Sequence, residues 1–328
     1  MKIFVTGASG FVGGAYVKDA AERHELSAMS RTEASDAKVR TLGATPVRSA
    51  LGEVTPEQIG GAQAIVHCAA FVEKWGPWAD FWRVNVEGTR QLLDAAKRAG
   101  VKRFIHIGTE AALFHGQPMR GVDETYPLAL KSPYPYSRTK AHAEKAVREA
   151  NDPANDFTTI VLRPRMIWGP DDQTILPAVK AMIAKGRFAW IDGGRIRTST
   201  TYIGNLVQAI ELAHGAGRGG EAYFVLDGEP VVFKEFLTRL AAADGFQLPE
   251  KQIPGAVVRT IAFTGETLWR LLALSGAPPL TRFEADIMSN DCILSDAKAR
   301  KEMGYLPRFS IDQGLAAVTS RQHWRLYT

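Results

Sequence analysis

The sequence predicts an α/β protein with a doubly wound parallel sheet and a smaller C-terminal lobe. In the first half, short apolar runs alternate with stretches of helical period, and a glycine-rich turn directly follows the first apolar run. Strands buried on both faces of a parallel sheet read as continuous apolar runs. We expect the sheet domain at residues 1–169, with 198–222 returning to it, and the C-terminal lobe at 170–197 and 223–328.

The elements of the first half follow one another in a regular order. The predicted strands are Ile3–Thr6, Leu26–Met29, Ala64–His67, Phe104–Ile107 and Thr159–Leu162. The predicted helices between them are Val12–Arg23, Asn85–Ala99 and Tyr136–Ala150. In the less regular second half we predict helices at Leu176–Lys185, Gly204–His214 and Phe233–Ala243, and a strand at Glu221–Leu226. Ligands of such sheets lie outside the carboxyl ends of the strands.

The turn after the first strand has the spacing of a phosphate-binding loop. Its three glycines stand three residues apart, where they allow a sharp turn and a close approach of pyrophosphate to the backbone. The N–H groups of the next helix then face the phosphates. The pattern predicts a Rossmann-type domain that binds a dinucleotide through Gly7, Ser9, Gly10, Phe11, Val12 and Gly13. An ordinary glycine-rich turn is the alternative.

Tyr136 and Lys140 are the strongest catalytic candidates. They lie four residues apart on a predicted helix that Pro135 precedes, and therefore share one face. A tyrosine has an ordinary pKa of about 10, and a nearby lysine cation favours its phenolate form. Such a pair can exchange a proton with a carbonyl or alcohol oxygen. A surface tyrosine beside a solvated lysine is the alternative.

Together these motifs resemble those of the extended short-chain dehydrogenases/reductases, the NAD-dependent epimerase/dehydratase superfamily. The matching segments are Thr6–Gly13, His67–Ala70, Asn85–Thr89, Tyr136–Lys140 and Leu162–Pro164. Within that family the chain is most similar to the 3β-hydroxysteroid dehydrogenase/isomerase branch. That similarity rests on Arg163–Pro170, Thr200–Val207 and Pro278–Arg282.

The resemblance implies further site residues. Thr109 follows the fourth predicted strand, where the family places the hydroxyl that orients the substrate oxygen, so the implied catalytic set is Thr109, Tyr136 and Lys140. The alternative for Thr109 is local capping of the backbone. We expect its neighbour Glu110 to be structural or solvent-facing. The implied cofactor contacts beyond the glycine turn are Cys68, Ala69, Ala70, Tyr136, Lys140, Pro164 and Ile167.

Arg31 bears on the choice of cofactor. Family members that prefer NAD place a carboxylate at the end of the second strand, where it binds the ribose 2′-hydroxyl. This chain has Ser30 and Arg31 there, and a guanidinium would pair with a 2′-phosphate. We therefore expect NADP(H) to be favoured over NAD(H). Glu33 lies near enough to reach the ribose, which leaves NAD(H) open.

Composition narrows the classes of partner and location. The 328 residues carry a net charge of +5, with both signs interspersed, which is not typical of a nucleic-acid groove. Two cysteines cannot form a disulfide framework, and no histidine or cysteine cluster has metal-ligand spacing. We expect a cytoplasmic protein without a metal, a cleaved leader or an integral membrane segment. The resemblance also implies a homodimer through two long helices beside the sheet.

Two apolar stretches leave alternatives open. Ile253–Leu274 is interrupted by charges, and either packs on its own protein or lies on a membrane surface. Phe71–Trp82 has six bulky apolar residues, which either line a pocket for a large apolar substrate or pack within a loop.

The predicted function is the interconversion of a secondary alcohol and a ketone on an apolar substrate. The substrate classes considered are a 3β-hydroxysteroid and a β-hydroxy or β-keto acid. One alternative is a nucleotide-sugar epimerase or dehydratase with tightly held NAD. Met166 argues against it, because such family members usually carry an asparagine there. The other alternative is a non-catalytic dinucleotide-sensing protein.

Overall fold

The computed structural model describes residues 1–272, 274–320 and 326. The strands are β1 (Lys2–Thr6), β2 (Glu25–Ser30), β3 (Thr45–Arg48), β4 (Ala64–His67), β5 (Arg103–Ile107), β6 (Met119–Val122), β7 (Thr158–Pro164), β8 (Ile167–Trp168), β9 (Trp190–Ile191), β10 (Arg197–Thr198), β11 (Thr201–Tyr202), β12 (Glu221–Val225), β13 (Val231–Val232), β14 (Gln252–Ile253) and β15 (Cys292–Leu294). The helices are α1 (Phe11–Ala20), α2 (Glu33–Leu42), α3 (Pro56–Ile59), α4 (Trp78–Trp82), α5 (Gly88–Arg98), α6 (Pro135–Glu149), α7 (Ile175–Ala184), α8 (Ile203–Ala213), α9 (Phe233–Ala243), α10 (Gly255–Leu271), α11 (Arg282–Ile287), α12 (Ala297–Met303) and α13 (Ile311–Ser320).

A seven-stranded parallel sheet lies at the centre, in the order β12-β7-β5-β4-β1-β2-β3. Helices α1, α8 and α12 cover one face, and α3, α5 and α6 cover the other. Ile3, Phe4 and Val5 of β1 are therefore buried on both faces, as their apolar run indicates. The predicted doubly wound α/β fold is confirmed.

Two elements at the edge of this sheet escaped the sequence patterns. Helix α2 has few apolar positions, and it is held instead by a capping box between Thr32 and Ser35. Strand β3 has four residues and contains Pro46. A proline is tolerated there because β3 is an edge strand.

The helix predicted at Asn85–Ala99 begins earlier than expected. Helical backbone starts with α4 at Trp78, passes through a π-helical turn at Arg83–Glu87 and continues as α5. The aromatic-rich segment is therefore non-helical only as far as Pro77. The wider π turn carries Asn85, whose side chain is buried.

The C-terminal half contributes to the main sheet and also to a second, smaller sheet. Helix α8 and strand β12 pack into the main sheet, whereas β13, β10, β15 and β6 form a separate four-stranded sheet. A second core, with Trp168, Trp190 and Phe236, lies beneath α7, α9 and α13. Within the described residues, no helix has the length and apolarity needed to cross a bilayer.

Candidate active site

The turn after β1 is so tight that two of its positions have no room for a side chain. Gly7 has a φ of +73°, and a Cβ there would lie 2.8 Å from the Ala69 nitrogen. A Cβ on Gly13 would lie 2.5 Å from the Gly7 carbonyl oxygen. Both obstacles are backbone atoms, which cannot turn aside as a long side chain can. The turn therefore packs α1 closely on β1 and leaves a bare backbone surface.

That surface suits an anion. Helix α1 begins at Phe11 with Gly10 as its N-cap, and no side chain caps it. Uncapped N–H groups at a helix start favour negative charge. Lys38 of α2 donates from Nζ to the Ser9 carbonyl oxygen at 2.6 Å, which adds a cation beside the turn. The turn that contains the six residues predicted for phosphate contact is therefore suited to an anion.

The end of β2 presents a basic side chain. Arg31 and Glu33 are both exposed. The nearby Asp36 carboxylate accepts hydrogen bonds from Ser30 and Arg48, and these bonds, that of Arg48 most, lower the pKa of Asp36. Because Arg48 already neutralises Asp36, that carboxylate does not oppose an anion beside Arg31.

A chain of buried polar contacts holds the end of β4. Thr6 Oγ1 lies 2.7 Å from His67 Nδ1 and accepts from the Ala69 N–H at 3.1 Å. His67 Nε2 lies 3.0 Å from Thr89 Oγ1. Burial, with a smaller effect of Lys140, lowers the pKa of His67 to about 3, so the ring is neutral. The contacts hold the backbone after β4, and Cys68 and Ala69 there lie directly against Gly7; Ala70 follows them.

Asn85 links the loop after β4 to helix α6. Its Oδ1 accepts from the Phe71 N–H at 2.7 Å, and its Nδ2 donates to the Phe71 carbonyl at 3.0 Å and to Thr139 Oγ1 at 3.2 Å. Thr139 lies on α6 between Tyr136 and Lys140. One buried amide on the π turn therefore sets the position of the helix that carries both catalytic candidates.

Lys140 is anchored to the sheet. Its Nζ donates to the Ile107 carbonyl oxygen at 3.0 Å and lies 3.4 Å from His106 Nε2. Burial lowers the pKa of Lys140 to about 8, although the Glu144 carboxylate opposes this shift. Glu144 itself pairs with Arg163 of β7, and both side chains are fully buried. Lys140 therefore changes its charge close to neutral pH.

Thr109 follows β5 and belongs to a second buried network. Its Oγ1 donates to Glu110 Oε2 at 2.8 Å, while Glu110 Oε1 accepts from Arg165 Nη1 at 2.6 Å. Glu110 is only 4% exposed, so of the two expectations for it, structural or solvent-facing, the structural one holds. A buried carboxylate needs a partner, and Arg165 after β7 supplies it.

Glu110 and Thr109 of this network change the pKa of Tyr136. Burial raises the pKa of Tyr136, the Glu110 charge raises it further, and a hydrogen bond with Thr109 lowers it in part. The protonated phenol is therefore the favoured form of Tyr136 here. The structure thus brings Tyr136, Thr109 and Glu110 together at the carboxyl end of β5.

The aromatic ring beside Tyr136 comes from an unexpected part of the chain. Phe283 of α11 packs edge-on against Tyr136, with ring centroids 5.9 Å apart. Several rings of Phe71–Trp82 pack elsewhere: Phe81 is buried against Phe71, and Trp82 lies against His142. Packing therefore accounts for these members of the aromatic segment.

The short connection from β7 to β8, here called the strand crossing, completes the site. Pro164 ends β7 and Ile167 begins β8. Between them, Met166 adopts a left-handed φ of +43°, and the Arg165 N–H donates to Thr201 Oγ1 at 2.9 Å. Both predicted residues thus lie in a crossing held by β11.

Sequence reasoning missed Lys38, Arg165 and Phe283 as members of the site. Each lies far along the chain from the residue that it contacts. Arg165 lies within the segment Arg163–Pro170 that carries the family resemblance, but that segment does not indicate its ion pair with Glu110. Glu110 was noticed, but its position beside Thr109 does not indicate burial. No local signal in the sequence identifies these four roles.

Comparison with known proteins agrees with this geometry. The 3-beta hydroxysteroid dehydrogenase/isomerase family matches residues 4–254. The chain is 40% identical over 321 residues to the 4-hydroxy-2-methyl-3-oxo-4-farnesyl-3,4-dihydroquinoline-1-oxide ketoreductase of Stigmatella aurantiaca, which covers 97% of this chain and 96% of the relative. It is 34% identical over 323 residues to the 2-alkyl-3-oxoalkanoate reductase of Stenotrophomonas maltophilia, covering 96% and 97%.

Solved structures show the same fold at lower identity. UDP-glucose 4-epimerase from Thermotoga maritima superposes with a TM-score of 0.75 over 98% of both chains, at 18% identity. At that identity the likeness concerns the fold alone. The family match and the two close relatives go further, and by them this chain belongs to the 3-beta hydroxysteroid dehydrogenase/isomerase family of the extended short-chain dehydrogenases/reductases.

Proposed function

We propose that this enzyme is a nicotinamide-dependent ketoreductase that converts an apolar 3-oxo compound to its alcohol. The observation that carries the proposal is the meeting of Thr109, Tyr136 and Lys140 at one edge of the sheet that also bears the glycine turn. The relatives at 40% and 34% identity are a ketoreductase and a 3-oxoalkanoate reductase, which supports the reductive direction.

The proposed roles follow from the protonation states. Tyr136 is a phenol, so it donates its proton to the substrate carbonyl oxygen. Thr109 turns its hydroxyl from Glu110 to the same oxygen and orients it. Lys140, when charged, stabilises the phenolate that remains and binds the ribose. A bound nicotinamide supplies the hydride for the carbonyl carbon.

The proposed cofactor contacts are those of the glycine turn, the backbone of Cys68–Ala70 and the strand crossing at Pro164 and Ile167. We propose NADP(H) over NAD(H), because Arg31 is exposed at the end of β2 while Arg48 neutralises Asp36. A 2′-phosphate would gain a charged hydrogen bond there. We expect Arg31→Ser to weaken NADPH binding about tenfold and to leave NADH binding unchanged.

The proposed substrate is a long-chain 2-alkyl-3-oxo acid or a compound of similar polarity. Phe283 beside Tyr136 supports an apolar wall at the reacting carbonyl. A homodimer is a family-level proposal that rests on the resemblance, and light scattering of the purified protein tests it. A cytoplasmic location is a proposal that rests on the composition.

The test follows nicotinamide absorbance with a synthetic 2-alkyl-3-oxo acid and either NADPH or NADH. Oxidation in step with alcohol formation, faster with NADPH, is the expected result. A protein that binds dinucleotide but leaves this acid and a 3-ketosteroid unchanged contradicts the proposal. Interconversion of a nucleotide sugar without net cofactor use would favour the epimerase alternative.

A further inference from the structure

Helix α10 presents a broad apolar face to the outside of the molecule. Among the described residues, seven of the eleven large apolar side chains that are exposed lie between residues 257 and 274. We call this set the α10 face: Val257, Ile261, Phe263, Leu268, Leu271, Leu272 and Leu274. Leu271 is 76% exposed and Leu272 is 63% exposed. Such a concentration differs from the single exposed apolar residues that are normal on a protein surface.

The opposite side of the same helix is packed. Gly255, Val258, Ala262 and Glu266 are buried, at the three- and four-residue spacing of one helix face. The helix therefore has an unusual arrangement. Large apolar side chains face outward, and its one acidic residue, Glu266, is buried. Glu266 Oε1 accepts the Arg282 N–H at 2.6 Å, which ties α10 to α11.

The polar residues on the outer side of α10 hide their hydrogen-bonding groups. Thr260 Oγ1 donates to the Ala256 carbonyl at 2.9 Å, Thr264 Oγ1 to the Thr260 carbonyl at 2.9 Å, and Thr267 Oγ1 to the Phe263 carbonyl at 2.7 Å. Each hydroxyl finds its partner within the helix, so these threonines do not need water. The outer side therefore suits a medium that offers few hydrogen bonds.

Charge on this segment is basic. From Lys251 to Arg282 the sequence has four basic residues and a single acidic one, the buried Glu266. Arg259 and Arg270 are exposed on α10, and Arg282 lies over the Phe263 ring, 5.2 Å from its centroid. An apolar face with a basic border is typical of helices that lie in the plane of an anionic membrane surface.

We propose that the α10 face docks this enzyme on the surface of an anionic lipid bilayer. Helix α10 has 17 residues, which is about 25 Å, and would lie in the interface rather than cross it. A second copy of the chain is a poorer occupant. A symmetric pair through this face would bring the basic border of one copy against that of the other, with no exposed carboxylate from the segment between them.

Docking would place the candidate site beside the lipid. Helix α11, which α10 holds, carries the Phe283 ring that lies against Tyr136. Trp75, from the loop after β4, lies under Arg270 of α10, 5.4 Å from the guanidinium to the ring centroid. An apolar substrate dissolved in the bilayer would then be close to the catalytic tyrosine. The docking itself does not depend on the proposed reaction.

The test is flotation of the full chain with vesicles of phosphatidylcholine that contain about one-third phosphatidylglycerol, beside vesicles of phosphatidylcholine alone. We expect the protein to float with the anionic vesicles and much less with the neutral ones. The variant L271E/L272E should lower the bound fraction at least about tenfold, because both side chains are exposed and apolar. The matched control is L306E, which changes a 66% exposed leucine outside the α10 face and should bind like the unmodified chain.

Three results would overturn the proposal. The first is that the unmodified chain does not float with anionic vesicles. The second is that L271E/L272E floats as well as L306E. The third is that the unmodified chain forms a dimer and does not bind vesicles, and that L271E/L272E is a monomer. Thermal unfolding of both variants, expected to match that of the unmodified chain, shows whether a lost interaction reflects the surface rather than the fold.

Discussion

The glycine turn after β1 and the side-chain cluster at the ends of β5 and β7 are two parts of one candidate site, built differently. The turn comes from a single segment, Gly7 to Gly13, and its shape depends on the lack of a side chain at each of these two glycines. The cluster consists of charged and hydroxyl groups from separate segments, and its properties depend on their burial. Steric changes should therefore damage the turn, whereas changes of charge or of a single oxygen should damage the cluster.

The largest effect should come from Tyr136→Phe in the cluster. The variant keeps the ring that packs on Phe283 and loses only the hydroxyl. We expect kcat to fall about 10²- to 10⁴-fold, the usual contribution of a positioned acid, with dinucleotide affinity unchanged. Turnover by stopped-flow absorbance and binding by calorimetry separate the two. Unchanged turnover would remove Tyr136 from the mechanism.

Glu110→Gln should reduce both stability and the tyrosine pKa. The change leaves Arg165 buried without its carboxylate, which costs about 3 to 5 kcal/mol of unfolding free energy. Because the Glu110 charge raises the pKa of Tyr136, its removal should move the tyrosine-dependent limb of the pH–rate profile to lower pH. Urea unfolding and the pH profile are the measurements.

The matched control for Glu110→Gln is Glu149→Gln, which breaks an exposed ion pair with Lys145. It should alter stability by less than about 0.5 kcal/mol and leave the pH profile in place. If both variants lose the same stability, the buried pair has no special role.

Gly13→Ala tests the steric requirement of the glycine turn after β1. Its Cβ would lie 2.5 Å from the Gly7 carbonyl oxygen, so the turn must open. We expect a loss of about 1 to 3 kcal/mol in stability and a parallel loss of dinucleotide affinity. Gly215→Ala is the control, since no heavy atom lies within 4 Å of its Cβ. Wild-type affinity in Gly13→Ala would show that the turn is not the phosphate site.

The smallest effect should be the pH dependence of cofactor binding. The pKa of Lys140 is about 8, so its ammonium is present below that pH and is lost above it. Affinity for dinucleotide should weaken roughly tenfold as pH rises through 8, by the loss of a charged hydrogen bond. In Lys140→Met this step should vanish, leaving the pH-independent binding of the glycine turn. A step that persists in Lys140→Met would assign it to another group.

Much of the fold follows from local patterns. The five apolar runs of the first half are strands, because a parallel sheet buries both faces of each strand. The pattern is weaker where burial is partial, so α2 and the proline-containing edge strand β3 were missed. The early start of the helix at Trp78 was also missed, because its aromatic residues are equally typical of a loop.

The sequence by itself determined the parts of this protein that depend on backbone geometry. Glycines at Gly7 and Gly13 and the spacing of Tyr136 and Lys140 are visible because their physical requirement is local. Only the tertiary structure decided what surrounds them. The fold buried Glu110 beside Tyr136, brought Phe283 to the reacting edge and left one side of α10 uncovered. Such properties depend on which distant segments meet, and the energy of a charge or an apolar side chain depends on that environment.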